Sequence, residues 1–241
     1  MTLRLFLRSL GLLALAAALL VWLGRHTDLD LRLADAMFDF PAQRFPWRGD
    51  WFASVVLHKW MKQVFIVLGL IPLALLAHDM LRRQRRLDPA QRALLVAIAG
   101  CFLLETLAVA VLKSFSIHAC PWDLQRYGGM LDYLRIFDTL PAGTRPGHCF
   151  PAGHASVAMW LPALAIPYLR NAPRKAGWIF FAALAPGLAL GWVQQMRGAH
   201  FLTHTLWTAW IACLVVVCVA RMHEVWLSRL AGLRKLSLQR V

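Results

Sequence analysis

The chain has 241 residues, 59% of them hydrophobic and only 16% charged, with a mean hydropathy of +0.55. That balance excludes an ordinary soluble domain and points to an integral membrane protein. The formal charge of +14 invites a nucleic-acid reading, but the surplus lies mainly in short juxtamembrane segments, where anionic lipid headgroups explain it and no nucleic-acid partner is expected.

Windows of about 20 residues low in charge mark transmembrane helices. Six are predicted: Leu5 to Leu23, Val64 to Ala77, Leu94 to Leu112, Ala155 to Leu169, Ala176 to Val193 and Thr205 to Ala220. The first follows Arg4 and Arg8 as a secretory signal would, yet it is longer than a signal core and lacks a clear cleavage site, so it reads as a retained span. The second and fourth are short and are expected to extend into their flanks or to begin inside a protein-lined cavity. Glu105, inside the third, is either paired internally or part of a polar path. Pro162, Pro167 and Pro186 read as kinks. The expected architecture is all-α, six transmembrane helices in one bundle, a single domain over residues 1–241.

An even number of spans puts both termini on one side. The amino end, the segment 79–92, the segment 170–175 and the tail from Arg221 hold 15 of the 26 basic residues and 3 of the 12 acids. The positive-inside rule makes that side cytoplasmic, both termini included. Within the tail, 221–241, Val225, Trp226, Leu230 and Leu233 suit an amphipathic helix on the cytoplasmic surface.

Two long segments lie on the far side. The first, about Gly24 to Gln63, carries Phe38, Phe40, Phe45, Trp47, Trp51, His58 and Trp60, and reads chiefly as an aromatic belt at the headgroup level, with covering an active site or holding a lipid tail as the lesser alternative. The second, Ser114 to Pro151, is too irregular to face lipid and must fold over protein or water. Cys120 and Cys149 fall in that second segment, where an oxidising compartment allows them to pair; spacing alone does not decide it. Cys101, Cys213 and Cys218 lie within spans as small apolar fillers.

Three polar stretches sit on the same far side: Lys113 with Cys120-Pro121-Trp122-Asp123, then Pro151-Ala152-Gly153-His154, then Arg197-Gly198-Ala199-His200 followed by His204. Cations and imidazoles are costly beside hydrocarbon, so three such stretches at the margins of separate helices imply convergence on an anion. Arg197, His200 and His204 share one helical face by spacing. Pro151-Ala152-Gly153-His154 lies just before a helical run, where free N–H groups and the dipole favour an anion, and Gly153 allows close backbone approach. Trp122 reads as a packing residue and Asp123 as a partner for Lys113 or an arginine. A set rich in cations and imidazoles with few carboxylates suits a phosphate, and two histidines can supply nucleophile and acid without a metal or cofactor.

These stretches resemble the three motifs of the type 2 phosphatidic acid phosphatase family: Lys, six residues, Arg-Pro; Pro-Ser-Gly-His; and Ser-Arg, five residues, His, three residues, Asp. The resemblance covers Lys113 to about Thr208, within a motif region taken as 113–208. It implies a membrane lipid phosphatase working through phosphohistidine, with His200 as nucleophile, His154 as general acid, His204 at the orienting Asp position, and Lys113, Arg197 and Gly153 holding phosphate. Cys120 stands where the family has Arg, so that cation is expected from Arg126 or Arg145. Ala152 replaces Ser, and Gln194 occupies the family's third-motif Arg position. A second register makes His204 the nucleophile.

The partner implied is a membrane lipid phosphate or diphosphate, in a multi-pass protein of a bacterial inner membrane with its site facing the periplasm; oligomeric state is left open. A lipid phosphotransferase uses the same scaffold. A zinc site of His154, His200 and His204 is disfavoured by the nearby cations. An anion transporter, or an inactive lipid-binding relative, is the alternative from another class.

Overall fold

The computed structural model describes residues 1–238, with side chains through Gly232. Five helices have the length and hydropathy of membrane spans, and no strand is present among the described residues. We label the helices α1 (Leu3–His26), α2 (Leu29–Asp35), α3 (Phe52–Leu81), α4 (Pro89–Ser114), α5 (Gly153–Met159), α6 (Pro173–Met196) and α7 (Leu202–Leu238). All but α2 and α5 are the candidate spans.

Local chemistry sets several boundaries. Thr2 caps α1 by accepting from the Leu5 amide. Asp88 and Gln91 form a reciprocal capping box at α4, with Pro89 in the first turn, a combination that stabilises a helix start by about 1 kcal/mol. The basic run before α4 wraps the Asp79 carboxylate, which accepts from the Arg86 and Leu87 amides and from Arg92 Nε.

Of the two short spans, the second extends into its flank as expected: the helix starts at Phe52, and its first nine residues wind as a π-helix before the regular turns from Met61. The fourth is not a continuous α-helix. It is α5 followed by a 3-10 segment, Leu161–Tyr168, that contains Pro162 and Pro167. Two prolines in eight residues remove two N–H donors and crowd the preceding carbonyls, which disfavours regular α winding. The longer rise of the 3-10 form stretches these residues to roughly 27 Å. The segment is tolerated because one side of it is packed in protein, with Leu164 left exposed on the other: Trp160, Ala163 and Ile166 pack with Ala97, Cys101 and Phe102 of α4 and Val216 and Ala220 of α7. Glu105 in α4 is also enclosed, and no internal ion pair accompanies it; neither carboxyl oxygen has a partner among the described residues.

Small residues bring the helices close, as expected where lipid supplies no contrast in hydrophobicity. A Cβ on Gly191 of α6 would stand 2.2 Å from the Thr205 side chain of α7. The outer surfaces of α1, α4 and α6 expose Leu12, Leu15, Leu107, Trp178 and Phe181, an apolar exterior that suits lipid.

The helices alternate in direction. Met1, Arg170 and Glu224 meet at one end, where the α-amino group bonds Glu224 and Arg221 bonds the Met1 carbonyl. At the other end lie the last turn of α1, the start of α3, the end of α4, the start of α5 and the α6–α7 turn. Both long connections fold over this second end. The aromatic residues of the first are not all belt residues: Phe38 and Phe45 are buried in a cluster with Tyr127 and Phe201, while Trp47, Trp51 and Trp60 remain exposed. Phe45 packs so tightly under Gly198 that a Cβ there would meet the ring at 2.4 Å, and Gly198 has φ +73°. Glycine is therefore required at this turn on both counts. The amphipathic face expected of the tail includes Leu233, whose side chain lies outside the described residues, as do residues 239–241.

Candidate active site

α4 delivers Lys113 in its last turn, and the amine reaches across to α5, 3.8 Å from where a Cβ on Gly153 would sit. Ala152 fastens α5 to α7 twice. Its amide donates to the His204 carbonyl at 3.2 Å, and its carbonyl accepts from Thr208 Oγ1 at 3.2 Å. The Ala152 side chain is wholly enclosed.

The second connection closes on the same place. Cys120 and Cys149 form a disulfide with Cα atoms 5.2 Å apart. The Trp122 amide donates to the Gly198 carbonyl at 2.9 Å, tying the first stretch to the third. Cys149 Sγ lies 3.4 Å from His200 Nδ1, so this sulfur walls the Nδ1 side of the imidazole. Cys120, Cys149 and His200 together resemble a metal-ligand set. With both sulfurs in a disulfide, however, the trio has no thiolate to offer.

His200 is 2% exposed and lies in the turn between α6 and α7. Burial holds its imidazole well below the ordinary value of 6.5, and His204, Lys113 and His154 push the same way, so it stands neutral with a lone pair. His204, one turn on, places its ring centroid 5.8 Å from that of His200, and its Nδ1 is buried without a partner. Arg197 donates from one terminal nitrogen to Gln194 Oε1 at 2.8 Å and from the other to the Arg48 carbonyl at 3.3 Å.

Lys113, Gly153, His154, Arg197, His200 and His204 thus gather at one end of the helices. Arg126 does not join them as a free cation. It is paired with Asp35 through two 2.7 Å bonds, beside the Tyr127 hydroxyl. Arg126→Ala is therefore expected to lower turnover by less than about threefold, as for an exposed pair, whereas Lys113→Ala lowers it by roughly a hundredfold or more; comparing the two variants for phosphate release checks this. Asp123 forms no ion pair among the described residues.

Sequence reasoning missed four contributors, all from the first connection and the start of α3. His58 stacks on His154, Lys62 adds its charge to that of Lys113, and the Arg48 carbonyl holds Arg197. Asp30 of α2 accepts from the Thr203 amide at 3.0 Å and from the Thr203 hydroxyl, capping α7 beside the histidines. Burial raises its carboxyl above the ordinary value, against those same hydrogen bonds. The only signal available for His58 and Lys62 was their place just ahead of an unusually short apolar run.

The sequence model of the PAP2 superfamily matches residues 93–227. No curated protein and no solved structure matches the chain.

Proposed function

The chain belongs to the PAP2 superfamily, whose members are phosphatases, and from that premise we propose that it is a membrane lipid phosphate or diphosphate phosphatase. The observation that carries this reading is the buried His200, held with Arg197 in the α6–α7 turn beside Lys113 of α4 and His154 of α5.

In the proposed cycle the Nε2 lone pair of His200 attacks phosphorus and the bond to the lipid oxygen breaks, its electron pair leaving with that oxygen. His154, charged once the phosphate anion lies beside it, gives that oxygen its proton. Water then attacks the phosphohistidine, passes a proton to His154, and the P–N bond breaks. Lys113, Arg197 and the Gly153 amide offset the charge that builds on the equatorial oxygens, and Lys62 and the Arg197–Gln194 pair supply what the Cys120 substitution removed. His204 occupies the family's orienting position without a carboxylate.

We place the site on the outer face of a bacterial cell membrane, with α5 and its 3-10 extension as a sixth crossing and both termini in the cytoplasm. Support comes from the basic segments at the opposite end of the helices and from the disulfide, which suits an oxidising compartment. On this reading residues 1–241 form one domain, and the headgroup lies in the outer leaflet.

Purified protein incubated with a panel of lipid monophosphates and diphosphates is expected to release inorganic phosphate, insensitive to chelators and inhibited by vanadate. Absence of release from every member sinks the phosphatase. Passage of the phosphoryl group to an added lipid headgroup identifies the phosphotransferase, and passage of phosphate across liposomes without hydrolysis identifies a transporter.

A further inference from the structure

His58 enters the site from the π-helical start of α3. Its ring lies on that of His154 with centroids 3.7 Å apart and planes 28° from parallel. Its Nδ1 is 3.1 Å from Gln194 Oε1, the same atom that Arg197 approaches at 2.8 Å. A guanidinium can only donate, so the shared atom is the amide oxygen and His58 Nδ1 carries a proton. Gln194 is 1% exposed and cannot exchange these partners for water. One buried carbonyl therefore holds an arginine on one side and, on the other, the imidazole that backs His154.

A general acid needs its ring aimed at the leaving oxygen. The χ2 torsion of histidine is broad and does not supply that aim unaided. A parallel ring at van der Waals distance confines the tilt of His154. We propose that His58 is a positioning residue: stacking on it fixes the His154 ring, and the Gln194 carbonyl ties the His58 ring to Arg197, so that acid and phosphate clamp are set as a unit. This rests on the phosphatase reading above. It also explains the Gln at the family's Arg position, since an arginine there has no acceptor to offer either partner.

The test uses the full-length protein in detergent, with the lipid phosphate that it cleaves best. General acid catalysis is worth about 10²–10⁴, and a misplacement of about 1 Å costs about 10². His58→Ala is accordingly expected to lower kcat by about 10- to 100-fold with KM within about threefold. His58→Phe keeps a ring under His154 and is expected to recover to within about fivefold of the unsubstituted protein, while His58→Asn keeps a donor for Gln194 but no ring and stays slow. Independently of turnover, NMR of histidine-labelled protein, assigned with His154→Ala, should show the His154 ring proton shifted upfield in the unsubstituted protein and in His58→Phe but not in His58→Ala. A kcat for His58→Ala within about twofold of the unsubstituted value, or His58→Phe as slow as His58→Ala, overturns the proposal. Release of phosphate with an unshifted His154 ring overturns it alone; a shifted ring with no release from any lipid phosphate overturns the phosphatase reading and the proposal with it.

Discussion

His200→Ala is expected to reduce phosphate release by roughly a thousandfold or more, a loss of about 4 kcal/mol of transition-state stabilisation. The side chain has two nitrogens: Nδ1 faces Cys149 Sγ at 3.4 Å, and Nε2 is the one proposed to attack. Because burial holds the imidazole below 6.5, lowering the pH toward that value does not protonate the free nucleophile, and the acid limb of kcat/KM is expected below pH 6.5. A covalent intermediate gives a second readout. Acid-labile, base-stable radioactive phosphate should appear on the unsubstituted protein after rapid quenching with labelled lipid phosphate, and His200→Ala should carry none. If His200→Ala keeps the label and His204→Ala loses it, the nucleophile is His204 and the other register of the third motif applies. If both variants keep it, the phosphohistidine cycle at this site is wrong.

Loss of the Cys120–Cys149 bond is the next largest expected effect. It closes a loop with a sequence separation of 29, which in the chain-entropy account contributes roughly 3–4 kcal/mol. Its consequence for activity is more local. Cys149 is fully buried against His200, and the segment it anchors also carries the Trp122 amide that binds the Gly198 carbonyl. Reduction, or the double change Cys120→Ser with Cys149→Ser, is expected to lower turnover by about 10- to 100-fold and to lower the midpoint of thermal unfolding. Both are measured on the same preparation, with and without reductant. A lower unfolding midpoint with unchanged turnover at low temperature would make the bond a structural staple with no part in holding His200. Unchanged values for both would show that the loop needs no tether.

Much of the membrane architecture was legible in hydropathy, because span length and low charge are properties of contiguous residues. The first, second, third, fifth and sixth predicted spans each lie inside a helix of the structure. The two short runs are the informative ones. Val64 to Ala77 is only the lipid-like part of a rod that starts at Phe52, since His58, Lys59 and Lys62 lower the hydropathy ahead of it, and His58 and Lys62 reach the site. Ala155 to Leu169 is apolar throughout yet winds only partly as α-helix, because one side of it packs in protein and its prolines favour another form. The aromatic residues of the first connection illustrate the same limit: composition marks them as interfacial, but only packing separates buried Phe45 from exposed Trp51.

By itself the sequence determined that this is a multi-span membrane chain, that its basic residues gather in segments apart from its histidine stretches, and that those stretches follow the order of a phosphatase family. Each is a local property, written in hydropathy or in residues a few positions apart. The tertiary structure alone decided which groups meet: His58 with Gln194 across 136 residues, Asp30 with Thr203 across 173, and Arg126 with Asp35 across 91. Such pairings depend on where helix ends and loops come to rest after packing, and no spacing in the chain encodes them. The cations and imidazole around the candidate phosphate site were therefore visible in kind from the residues, but their membership was fixed by the fold.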